Sequence, residues 1–98
     1  MRTMLRVWIP VEAGNRALKE GALQKVIESA LEKLRPEAAY FFPDQGERSM
    51  LMVFDLKDVS QIVTLVEPFF SGLDAKVTLT PVMTVDDLRG GMGGLQGR

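Results

Sequence analysis

The chain contains neither histidine nor cysteine, so any chemistry falls to arginines, aromatics and carboxylates. Imidazole acid–base work, thiolate nucleophiles and zinc–thiolate sites are thereby excluded. Arg6 and Trp8 stand two residues apart in a short alternating run, so an extended backbone puts both on one face. A guanidinium beside an indole can clamp a carboxylate or stack on a flat substrate. The plainer reading pairs Arg6 with a carboxylate of a second subunit and leaves Trp8 as interface core, because a buried charge is costly unless paired. Glu12, Asn15 and Arg16 follow that strand, in an expected loop leading into a helix. Loops carry function more often than framework, and helix N-termini favour anions; otherwise Asn15 is a cap and the other two are solvated charges. Tyr40, Phe41 and Phe42 run consecutively, and a Tyr40 hydroxyl can orient a ligand, although three aromatics in a row also suit a strand buried on both faces.

The ligand-binding candidates are thus Arg6, Trp8, Asn15, Arg16, Tyr40 and Arg48. Glu12 and Glu67 are the candidate proton-transfer groups, since a carboxylate is the remaining general-base type. Glu67 reads equally as a solvated residue on the last turn of a helix. Asp86 and Asp87 suit the positive end of a helix dipole and, without further oxygen ligands, make a poor metal site. No metal and no tightly bound cofactor are expected.

These residues need a frame. Met4 to Ile9 alternates with Leu5, Val7 and Ile9 on one side, which predicts a strand ended by Pro10. Gly14-Asn15 then reads as a turn into a helix, with Asn15 as N-cap. Apolar residues at Leu23, Val26, Ile27, Ala30, Leu31 and Leu34 form a helical stripe that Gly21 interrupts and Pro36 stops. Ala38 to Phe42 and Arg48 to Asp55 read as a hairpin around Asp44-Gln45-Gly46. Asp58 with Gln61 marks a capping-box start to a helix burying Val59, Ile62, Leu65, Val66 and Phe69, with Gly72 as its left-handed cap. Ala75 to Thr80 is a last strand. Thr84 with Asp87 opens a short helix, and five glycines between Gly90 and Gly97 predict a flexible tail.

The order β-α-β-β-α-β is that of the ferredoxin-like split unit: an α+β sandwich of a four-stranded antiparallel sheet with helices on one face. Ninety-eight residues make one domain, here 1–89 with a tail at 90–98. Size scaling gives a folded surface of roughly 5,600 Å². A content of 46% hydrophobic and 26% charged residues rules out disorder throughout. The aliphatic set Leu5, Val7, Ile9, Leu51, Val53, Val77 and Leu79 is assigned to the side under the helices. Met4, Arg6, Trp8, Met50, Met52, Phe54, Lys76, Thr78 and Thr80 then share the opposite face, joined by either Tyr40 with Phe42 or Phe41. So large an apolar patch calls for a cover, and the simplest is a second copy, giving a homodimer through Met4, Trp8, Met50, Met52 and Phe54.

Pro10-Val11-Glu12-Ala13-Gly14-Asn15-Arg16, Pro36-Glu37-Ala38-Ala39-Tyr40-Phe41 and Glu67-Pro68-Phe69-Phe70 resemble stretches of an uncharacterised family of short bacterial proteins. The broader resemblance, over nearly the full length, is to the dimeric α+β-barrel superfamily. That resemblance implies a homodimer with facing sheets and small-ligand or enzymatic sites between sheet and helices. The group's haem-degrading and other members often rely on a cavity histidine, which this chain lacks.

A net charge of −1 and methionines where stacking rings would be needed argue against nucleic-acid binding. The glycine-rich end lacks the Gly-Lys-Ser/Thr of a phosphate loop, and the glycine loop of an acylphosphatase is missing. No run approaches the roughly 20 apolar residues of a membrane span, and the N-terminus does not read as a signal peptide, so a soluble cytoplasmic protein is expected. Two functions fit. One is a homodimer binding a small organic ligand between sheet and helices, as a binding module or as a cofactor-independent enzyme-like barrel. The other is a non-catalytic dimerisation or regulatory module acting through protein partners and the tail.

Overall fold

A two-residue turn sets half of the sheet. Gln45 and Gly46 both take positive φ, 54° and 80°, the combination that matches the right-handed twist of flanking strands in a tight hairpin. Gly46 supplies that conformation without strain. The turn joins β2 (Ala38–Asp44) to β3 (Glu47–Asp55) and fixes their pairing as Asp44 opposite Glu47, Phe42 opposite Ser49 and Tyr40 opposite Leu51. β1 (Arg2–Ile9) pairs antiparallel with β3 and, on its other side, with β4 (Lys76–Pro81). The sheet order is β2-β3-β1-β4. This computed structural model describes residues 1–96. It shows a ferredoxin-like α+β fold.

On the helix side lie α1 (Val11–Glu20), α2 (Ala22–Leu34) and α3 (Gln61–Leu73). Gly21, at φ 80°, separates α1 from α2 as the sequence predicts. α1, however, begins directly after Pro10, so Glu12, Asn15 and Arg16 are helical rather than in a loop, and Asn15 is not the cap. α3 starts with the expected box: Gln61 Oε1 accepts from the Asp58 N–H at 3.0 Å, and Asp58 Oδ1 accepts from the Ser60 N–H at 2.9 Å. Asp74, not Gly72, takes the left-handed position at its end. Gly72 is inside α3, facing Val26. Val59 precedes the helix and is exposed.

Leu5, Val7, Ile9, Met50, Met52, Phe54, Leu65, Phe69 and Leu73 form the core. Met50, Met52 and Phe54 therefore lie under the helices, and Leu51 and Val53 on the open face, the reverse of the expected assignment. Residues directly opposite in an antiparallel pair share a face, and Leu5 is opposite Met52 and Val7 opposite Met50. One residue of register exchanges every side chain of a strand between faces. Methionine's flexible chain fills irregular core space as readily as leucine does. The open face consists of Met4, Arg6, Trp8, Ala38, Tyr40, Phe42, Leu51, Val53 and the outward residues of β4. It retains Met4 and Trp8 from the proposed dimer surface but not Met50, Met52 or Phe54.

α4 (Val85–Gln96) closes the described chain. Thr84 Oγ1 accepts from the Asp87 N–H at 3.1 Å, and Asp87 Oδ2 accepts from the Thr84 N–H at 3.0 Å, so the expected box is made. Residues 90–96 of the expected flexible tail are helical, and Gly97 and Arg98 lie outside the described residues. Among the described residues no helix is long and apolar enough to cross a membrane.

Candidate functional site

The fold divides the sequence-predicted residues between two faces. On the open face, Arg6 and Trp8 come together as expected, but with a member the sequence did not suggest. Asp44, the last residue of β2, accepts from Arg6 Nη2 at 3.2 Å and from Trp8 Nε1 at 2.8 Å through one oxygen. The Arg6 guanidinium lies 4.6 Å from the Trp8 ring centroid and 5.5 Å from that of Phe42. Lys76 Nζ stands 5.3 Å from the Trp8 ring. Arg6 is thus paired within its own chain, not with a second subunit's carboxylate. A guanidinium already neutralised and stacked has less to offer a ligand carboxylate than a free one. Its Nε hydrogen remains buried without an acceptor. Tyr40 is on this face too, exposed and at the outer strand.

The second place is the edge between helices and hairpin. Arg48 is opposite Ile9 at the start of β3, and its side chain crosses to α1, where Nη2 donates to Asn15 Oδ1 at 3.1 Å. Gly14 makes that crossing possible: a Cβ there would sit 2.6 Å from Arg48 Nη1 and 3.3 Å from Ile9. The guanidinium therefore rests against bare helix backbone. Beside it opens a pocket of about 570 Å³ walled by Ile9, Leu23, Ile27, Phe41 and Met50, within the size range of small-molecule sites. Arg48 makes no ion pair among the described residues. An open, largely apolar pocket lined by Arg48 and Glu47, with the guanidinium hydrogen-bonded to Asn15 and in no ion pair, has the chemistry to hold an organic anion by its apolar body and its charged end.

The other candidates are placed apart from this pocket. Arg16 turns to Asp74 at the end of α3, 3.5 Å away. Glu12 lies exposed in the first turn of α1, and Glu67 lies exposed on α3, where its carbonyl accepts from the Ser71 hydroxyl. Of the named set, only Arg48 and Asn15 meet at the pocket. Phe41 belongs to the aromatic run that the sequence offered for a pocket, but the walls Ile9, Leu23, Ile27 and Met50 were missed as site residues, although the two-residue turn already puts Phe41 opposite Met50. Gly14 within a helix was the other available signal, since glycine there often marks a close approach. A second, smaller groove of about 270 Å³ runs between α2 and α3 past Lys33, Gln61 and Pro68.

A scan against protein-family models gives no match, and a search of curated proteins gives none either. Among solved structures, 84% of the chain is similar to a formyltetrahydrofolate deformylase from Pseudomonas putida KT2440, at a TM-score of 0.55 and 17% sequence identity. The matched region is 29% of that chain, so the likeness concerns the fold of a part.

Proposed function

We propose that the protein is a small-ligand-binding module whose pocket, between the sheet and α1–α2, takes a small organic anion with an apolar body. The observation that carries this reading is Arg48: a guanidinium seated on Gly14, held by Asn15, in no ion pair among the described residues although Glu47 shares the pocket lining, and beside a largely apolar, open pocket. The reading extends to a homodimer through the open sheet face, a cytoplasmic site of action, and membership of the short bacterial family of the dimeric α+β-barrel group that the sequence resembles. Arg6, Trp8 and Tyr40 then belong to the dimer surface rather than to the pocket. Glu12 and Glu67 are exposed outside the pocket, so binding rather than proton transfer is the activity proposed.

The test compares 4-phenylbutyrate with its neutral amide by amide-resonance NMR titration. The acid is expected to shift resonances of Asn15, Phe41 and Arg48 and to bind at least 10-fold more tightly than the amide. Arg48→Met, which keeps the apolar stem, should remove that preference. Gly14→Ala separates binding from stability: alanine favours the helix by roughly 1 kcal/mol, while its methyl displaces the guanidinium and weakens the acid. Equal binding of acid and amide, or an undiminished preference in Arg48→Met, would refute the proposal.

A further inference from the structure

α4 is a helix without a partner. Its apolar residues Val85, Leu88, Met92 and Leu95 follow the 3-4-3 spacing that makes one seam along a helix, and they are 61%, 45%, 46% and 71% exposed. No residue of α4 is buried. Gly90, Gly91, Gly93 and Gly94 lie within it, and each disfavours helix by about fivefold relative to alanine. Twelve residues of that composition are marginal as an isolated helix in water. Contact along the seam is what would sustain it.

The whole chain shows the matching deficit. Its accessible surface is 6619 Å², roughly 1,000 Å² more than size scaling allows a chain of this mass. Its radius of gyration is 15.9 Å, against roughly 12.6 Å for a compact chain of this length. A stable interface removes roughly 800 Å² from each partner, so the surplus is of the size that one partner would cover. The open sheet face presents Met4, Trp8, Phe42, Leu51 and Val53 half-buried, and beside them the Arg6 Nε hydrogen has no acceptor.

We propose that in the homodimer α4 of each protomer lies across the open sheet face of the other, seam inward. A second copy is the occupant because one chain carries both unpartnered surfaces, and a two-fold exchange covers both at once. The dimensions agree: twelve residues of helix span about 18 Å, and four strands span about 19 Å. This inference rests on the homodimer reading above and adds which element makes the contact.

The experiment is light scattering after size exclusion over a hundredfold concentration range, with emission of Trp8, the chain's single tryptophan, as a local reporter. The wild type should dimerise with a blue shift of Trp8 emission. Leu88→Lys with Leu95→Lys changes residues exposed in the monomer, so circular dichroism should keep the sheet signal. The dimer should weaken at least 100-fold in this variant and the blue shift should vanish. Gly93→Ala with Gly94→Ala, where no atom lies within 4 Å of the added methyls, should tighten the dimer roughly 25-fold per protomer, about 600-fold over the two helices, by easing helix formation. A monomer at every concentration overturns the homodimer reading and this one together. A dimer unaffected by the two lysines leaves the homodimer standing and overturns the role of α4. A lysine-sensitive dimer in which Trp8 emission never shifts means seam-to-seam pairing of two α4 helices, which also overturns the sheet docking.

Discussion

α3 and α4 begin with the same device and end in opposite circumstances. Each is led in by a residue whose side-chain oxygen accepts a backbone N–H two or three positions on, answered by the side chain of the residue three positions on: Asp58 with Gln61, and Thr84 with Asp87. After that start, α3 buries Leu65, Phe69 and Leu73 against the sheet, and α4 buries nothing. α3 even tolerates Pro68 in its interior, a residue that ordinarily costs a helix about 3 kcal/mol. α4 contains no proline, yet its four glycines leave it dependent on outside contact. A cap says where a helix begins. Burial of one face decides whether it is held, and most helical stability in proteins comes from such packing.

Substitutions can break or sharpen that contrast. The largest effect is expected at Phe69, which is 1% exposed. Phe69→Ala should lower the unfolding free energy by about 3–5 kcal/mol, whereas Leu88→Ala should stay within about 0.5 kcal/mol in dilute protein. Urea denaturation checks both, and comparable losses would mean α4 is packed on its own chain after all. A smaller difference lies at the caps. Gln61→Ala should cost about 1 kcal/mol of global stability. Thr84→Ala should leave the urea midpoint unchanged and instead raise amide exchange across residues 85–96. A shift of the global midpoint by Thr84→Ala would join α4 to the cooperative unit.

The smallest effect is in pH. Hydrogen bonds from Ser60 hold the Asp58 carboxyl below its ordinary value, and those from Thr84 do the same for Asp87. Both groups are more acidic folded than unfolded, so their contribution is full above about pH 4 and is lost as pH falls through the lowered folded values. Both are solvent-exposed, so the loss is modest. Between pH 5 and pH 2 the Asp58 share should appear in the urea midpoint and the Asp87 share only in helical signal. A protein more stable at pH 3 than at pH 5 would contradict this assignment.

The pocket repeats the lesson at the level of the site. Arg48 and Asn15 were legible as polar candidates, but nothing local joins residues 33 positions apart. The absence of a side chain at Gly14 does so, by letting an arginine from the sheet reach α1. Asp44 escaped notice because an aspartate before Gln45-Gly46 reads as a turn former. Only the pairing of β2 with β3 and of β3 with β1 carries it to the indole and guanidinium of Trp8 and Arg6.

By itself the sequence determined what depends on neighbours in the chain: the alternation of β1, the break at Gly21, the tight turn at Gln45-Gly46, both capping boxes and the split βαββαβ order. These rest on backbone geometry and short-range hydrogen bonds, which a few adjacent residues specify. The tertiary structure alone decided which face of β3 is core. Leu51 and Val53 alternate with Met50, Met52 and Phe54, and both sets are apolar enough to be buried. The choice followed from a pairing with β1 across some 45 residues, in which Leu5 meets Met52. Hydrophobicity is proportional to area and has no direction. Where both sides of a strand are apolar, the register of a distant partner assigns the faces.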